Sequence, residues 1–115
     1  MSNEKDVSGM IEHLEAFEER MGVRFEALSA WCGSHQGEYV VFVGGELHAH
    51  DGNLINQTIE VVADAYNSSG QLMGTDYHVF LPISFFGYET FMICLSKLPS
   101  INLGKIRVYP KHARH

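Results

Sequence analysis

Basic residues are scarce in this chain: 8 Lys and Arg stand against 14 Asp and Glu, for a formal charge of −6. Nucleic-acid surfaces neutralise phosphates with clustered Lys and Arg, so a composition this acidic argues against a nucleic-acid partner. Long apolar runs are missing too. No stretch approaches the roughly 18 residues of a membrane-spanning helix, and no membrane partner is expected. The first residues, Met1 to Val7, are polar and lack the apolar segment of a secretory leader. A cytoplasmic location is expected on that ground. Cysteine is limited to Cys32 and Cys94. In a reducing compartment both are expected as free, buried thiols rather than a disulfide. There is no internal repeat, no low-complexity tract and no alternation of strand and helix patterns, which excludes a parallel α/β sheet.

What remains is ordinary globular material. The chain has 115 residues, 45% of them hydrophobic and 11% aromatic. That length fits one domain, 1–115, and is long enough for a core without metal or disulfide support. Residues 1–6 are polar and expected to be loose. Val7, Met10, Ile11, Leu14, Phe17 and Met21 then recur at spacings of three and four, which predicts an amphipathic helix over 7–21. Asp6 or Ser8 would cap its start, and Gly22 suits the position just past its end. Its apolar stripe has two readings, packing onto the domain's own sheet or contact with a second copy through Met10, Leu14 and Phe17.

After Gly22 the period drops to two. Val23, Phe25 and Ala27 alternate with Arg24 and Glu26, and this strand is expected to run to Trp31 and Cys32. Gly33 to Gly37 reads as a loop. Tyr39 to Val43 is a continuous apolar run, the mark of a central strand, with Gly44-Gly45 weakening it before Glu46 to His48. His50 to Asn53 is a turn signal. Ile59, Val61, Ala63 and Ala65 share one parity of a long strand that ends at Tyr66. Asn67-Ser68-Ser69-Gly70 supplies a turn, and Gln71 to Leu81 returns with Met73, Tyr77, Val79 and Leu81 expected inward. Pro82 stops that strand. Thr90 to Ser96 and Lys105 to Tyr109 complete the set, Pro110 ends the last strand, and the basic tail 111–115 is expected to be loose. The expectation is a mostly β protein: an antiparallel sandwich of about seven strands over 23–110, preceded by one helix.

The segment from Gly44 to Pro110 resembles the FxLYD-type domain, a small immunoglobulin-like β-sandwich of bacterial proteins. Gly45-Glu46 stands at the family's strand start, and Ile59 to Tyr66 followed by Asn67 resembles its aromatic-ended strand. Gly70-Gln71-Leu72-Met73-Gly74-Thr75 resembles its hairpin and return. Pro82, then Gly87-Tyr88-Glu89-Thr90-Phe91, resembles its next turn and Phe-centred strand, and Lys105 to Tyr109 its closing strand. Ala65 and His48-Ala49-His50 depart from the pattern, and the front helix lies outside it. The resemblance implies an immunoglobulin-like fold, no catalytic activity, and an interaction or accessory role. It also implies a place among exported or envelope-attached proteins, against the cytoplasmic reading above.

The chemistry-bearing residues are few. His48 and His50, two apart in an extended chain, would project to one side, and with a third ligand such as Asp51, His35 or His78 could hold zinc. Neither cysteine sits in a setting that lowers its pKa, and Cys94-Leu95-Ser96-Lys97 lacks the His and Met of a blue-copper site. No nucleophile elbow or phosphate loop is present. No cofactor and no enzymatic activity are expected. Phe85, Phe86 and Tyr88 lie in a predicted loop, where they either plug the end of the sandwich or form a contact patch. The resulting expectation is a non-catalytic interaction domain, with a protein partner that includes a second copy of itself. The alternative is a metal-binding protein or metal-dependent enzyme built on His48 and His50.

Overall fold

The computed structural model describes residues 4–50, 54–99 and 102–113. Eight strands and one short helix follow one another: β1 (Lys5–Asp6), β2 (Ile11–His13), α1 (Glu15–Met21), β3 (Val23–His35), β4 (Glu38–Ala49), β5 (Ile59–Asn67), β6 (Leu72–Phe80), β7 (Tyr88–Leu98) and β8 (Leu103–His112). They form two four-stranded sheets, in the orders β1-β3-β4-β7 and β2-β8-β5-β6. The chain makes a hairpin in the first sheet (β3-β4) and another in the second (β5-β6). It then returns β7 beside β4 and β8 beside β5. This Greek-key crossing is the immunoglobulin-like sandwich that the strand count predicts. All pairings are antiparallel except β2 with β8.

The core lies between the sheets. Val41, Val43 and Leu47 of β4, and Phe91, Ile93 and Leu95 of β7, face Val61, Ala63 and Ala65 of β5 and Ile106 and Val108 of β8. The second hairpin turns where the sequence places it. The Asn67 side-chain oxygen accepts from the backbone N–H groups of Ser69 and Gln71, both at 2.9 Å. Gly70 takes the left-handed conformation, φ 84°, that closes the turn. Gly104 of β8 packs so tightly beneath this turn that a Cβ there would lie 2.5 Å from the Asn67 carbonyl oxygen.

Several expectations are corrected. The helix does not begin at residue 7. Lys5–Asp6 pair with β3, Ser8–Met10 form a 3₁₀ turn, and Ile11–His13 pair with β8, leaving only Glu15–Met21 helical. The apolar residues of the stripe still find cover, because Val7 is buried and Met10, Ile11 and Met21 pack against the core. A strap crossing from one sheet edge to the other buries them as a helix would, and it satisfies two open edges as well. Residues 5 and 6 are therefore ordered strand, and so are 111 and 112, expected as tail.

Gly33 to Gly37 is not a loop. β3 runs to His35 and turns tightly at Gln36-Gly37. Gly44 and Gly45 do not interrupt β4, which is continuous there, because Met92, Phe91 and Leu28 fill the space their missing side chains leave. A bulge between Glu26 and Ser29, with Ala27 at φ 56°, shifts the parity of β3. Val23 and Phe25 point inward before it, Ala30 and Cys32 after it, and Ala27 is exposed. From Gly74 to Phe80 the inward parity of β6 is the even one, while Met73, beside the register shift at Ala65/Tyr66, packs against the core as expected. Ile59 pairs with Phe80 and Val61 with His78, so Phe80 is buried while Tyr77, Val79 and Leu81 are exposed. The turn signal at His50 to Asn53 lies largely outside the described residues.

Candidate functional site

The two outer faces of the sandwich are built differently, and the difference locates the candidate site. On the outer face of the β2-β8-β5-β6 sheet, the side chains of β2, β8 and β5 are tied to one another. Arg107 Nε donates to Glu12 across the parallel pair at 2.9 Å, and Lys105 and Arg107 both lie over the Tyr66 ring. The Tyr109 hydroxyl donates to the buried Asp64 carboxylate at 3.1 Å. Burial pushes that hydroxyl's pKa up to about 12, with the negative charge of Asp64 adding to the effect. α1 packs over this face edge, with Phe17 edge-on to Tyr109 and Arg20 over the Phe17 ring.

Among the described residues, nothing of the kind covers the outer face of the β1-β3-β4-β7 sheet. Trp31, Phe42 and Cys94 form one cross-strand row, flanked by Val40 and Met92. A solvated sheet face normally alternates to polar residues, whereas here β4 is apolar on both faces. Trp31 is 37% exposed and Met92 55%. Trp31, Val40, Phe42 and Cys94 line a shallow depression of about 610 Å³, rimmed by Glu4, Ser34, His35, Glu38 and Ser96.

Toward the other end of the same face the chemistry becomes polar. Arg24 pairs with His48 across the β3-β4 ladder, and His48 with Tyr88 across β4-β7. The His48 ring stacks on Tyr88 with centroids 4.9 Å apart, and its Nε2 lies 2.9 Å from Glu46 Oε1. Arg24 Nε donates to Glu26 at 2.7 Å, and this bond, followed by the charge on His48, holds the Glu26 carboxyl below its ordinary range. One ligand atom each from Glu26, Glu46 and His48 lies within 4.8 Å of the others. Among the described residues, no buried side-chain N or O lacks a hydrogen bond.

The residues singled out in the sequence separate accordingly. His48 belongs to the polar cluster, but His50 sits exposed in the following turn and is not part of it. Phe85 is fully buried against Phe80, so it plugs the sandwich end and is no contact residue. Phe86 projects into solvent, 80% exposed, beside the exposed Ile83, and Tyr88 is exposed on the outer face. Met10 is packed against the core, Leu14 is half-buried at the start of α1, and Phe17 lies under Arg20. The structure does not bring Met10, Leu14 and Phe17 together with the loop aromatics. Cys32 is buried on the inner face and Cys94 exposed on the outer face of one sheet, both as free thiols. With β4 between their strands, they stand too far apart to bridge.

The row Trp31, Phe42, Met92 and Cys94 is new. Its signal in the sequence was the unbroken run from Tyr39 to Val43, which says that both faces of that strand are apolar.

No family model matches the chain, and no curated protein does. Among solved structures, one provisionally assigned as a beta-galactosidase from Bacteroides fragilis is similar at 13% identity with a TM-score of 0.38. The likeness covers 81% of this chain and 16% of that one, and at that score it supports no argument about function. No helix among the described residues is long and apolar enough to cross a membrane.

Proposed function

We propose that the chain is a non-catalytic protein-interaction domain that docks through the outer face of its β1-β3-β4-β7 sheet. The observation that carries this reading is the apolar row of Trp31, Phe42, Met92 and Cys94, which no described element covers. Trp31 lines the shallow depression and Met92 is exposed on the same face, and Trp and Met are residue types enriched in protein interfaces. The occupant that fits is a protein presenting an apolar side chain ringed by Lys or Arg, because Glu4 and Glu38 stand on the rim and the whole chain carries −6. An accessory role of the FxLYD type is in keeping with this proposal.

The test is capture of a partner from the source cell by the immobilised chain. The expected result is a partner lost with Trp31→Ser and with Met92→Lys, retained with Phe86→Ser, and weakened by salt. Capture that is indifferent to both substitutions on this face overturns the proposal.

A second reading, metal binding, draws on the convergence of Glu26, Glu46 and His48. A divalent cation there would displace Arg24 from Glu26 and any proton from His48. Zinc binding by calorimetry that is lost in His48→Ala and strengthened in Arg24→Ala is the expected result. No heat with the wild-type chain removes this reading.

A further inference from the structure

The free edge of β6 carries the geometry of a self-complementary interface. β6 is the last strand of its sheet and is exposed along most of its length. The direction of its backbone groups is fixed from two sides. The Tyr77 N–H donates to the Asp76 carboxylate at 2.8 Å. At the far end of β5, the Thr58 carbonyl accepts from Ala113, just past the end of β8. Even-numbered residues of β5 therefore point to β8 and odd-numbered ones to β6. It follows that Thr75, Tyr77 and Val79 direct their N–H and C=O groups outward, to the open edge.

We infer that two copies of this chain pair antiparallel through β6, about a two-fold axis at Tyr77, joining their sheets into one continuous sheet. This register is the one that the side chains favour. With Tyr77 opposite itself, Thr75 lies opposite Val79 of the second copy, and these outward-pointing residues form about six backbone hydrogen bonds. Asp76 falls opposite His78 of the second copy, twice, at the closely spaced non-hydrogen-bonded positions where side chains interact most strongly. Asp76 is exposed and His78 half-buried in the single chain, so both are within reach of a neighbour. On the other face, the exposed Tyr77 and Val79 gain apolar neighbours across the axis. A register one residue away would put Asp76 opposite a residue of the outer face parity and lose both pairs.

Asp76 has two partners in this scheme. In the single chain its carboxylate occupies the edge N–H of its own neighbour, which blunts the edge against random pairing. In the dimer His78 of the second copy takes the carboxylate, and the Tyr77 N–H is released to the Tyr77 carbonyl across the axis. The interface is small, of the transient class, and its population depends on concentration.

Sedimentation equilibrium of the whole chain from about 5 to about 500 µM tests the pairing. The expected result is a monomer–dimer equilibrium. His78→Asp, which sets Asp against Asp, is expected to weaken it by about tenfold or more. The double exchange Asp76→His with His78→Asp is expected to restore it to within about threefold. Amide exchange supplies a reading that needs no variant: Thr75, Tyr77 and Val79 are expected to gain protection as concentration rises. A monomer throughout the range, an unaffected His78→Asp variant, a double exchange that fails to recover, or edge amides indifferent to concentration would each overturn the inference. Trp31→Ser leaves this equilibrium unchanged, so its outcome is separate from that of the docking face proposed above.

Discussion

The two outer faces of this sandwich solve the same problem in opposite ways. A sheet exposes one face to water, and that face can be made polar, covered, or left apolar for a partner. The β2-β8-β5-β6 sheet takes the first two routes. Over β2, β8 and β5 its outer residues pair with one another, and α1 folds back over its edge, with Tyr77 and Val79 of the edge strand β6 left exposed. The β1-β3-β4-β7 sheet leaves Trp31 and Met92 exposed, with Phe42 half-buried between them. The contrast predicts that the paired face contributes more to stability than the bare one.

Substitutions should expose that contrast. The strongest effect is expected at Glu18, which pins the cover in place. Its carboxylate, 4% exposed, accepts from the Phe25 backbone N–H at 3.2 Å and pairs with His13 at 2.6 Å. Glu18→Ala leaves the Phe25 N–H buried without that acceptor and should cost about 2 to 3 kcal/mol, measured by urea unfolding.

Tyr109→Phe removes the hydroxyl that serves the buried Asp64 and should cost about 1 kcal/mol. The same residue gives a pH signature. The Tyr109 pKa stands at about 12 in the folded chain against an ordinary 10.0, so the folded state retains the proton longer than the unfolded one. The stabilisation is complete below the ordinary value and is lost as pH rises from there through the folded value. Unfolding free energies across that alkaline window should fall more steeply in the wild-type chain than in Tyr109→Phe. Absorbance titration should show one late tyrosinate that the variant lacks.

On the bare face the expected effects are small. Met92→Lys should change stability by no more than about 0.5 kcal/mol while abolishing partner capture. The smallest effect belongs to Cys94→Ser, which should leave stability unaltered. Yet in the wild type a thiol reagent should modify Cys94 in the folded state and reach Cys32 only on unfolding, because the two lie on opposite faces. A Met92→Lys variant that unfolds as readily as Glu18→Ala would break the comparison.

Much of the architecture could be read from local pattern. The hairpin at Asn67 to Gly70 needs only an Asx side chain and a glycine, and both act within four residues. The inward sets of β5, β7 and β8 follow from simple alternation. The sites were less legible. His48 stood out by its residue type, but its neighbours Glu26, Arg24 and Tyr88 come from other strands and meet it only through register. Phe85 and Phe86 are adjacent and alike in sequence, and one is core while the other is solvent.

The sequence by itself determined the class of fold: strand periods, turn residues and an apolar content sufficient for a sandwich core. It did so because each of those is a short-range property of the chain. Tertiary structure alone decided three matters. Residues 5–13 became a strap rather than a helix, because two sheet edges offered backbone partners that an isolated helix could not outbid. The parity of β6 was set by its pairing to β5, since period-two alternation identifies two faces but does not say which is inside. The bulge at Ala27 reversed the faces of β3 and so turned Trp31 outward, into the apolar row on which the proposed function rests.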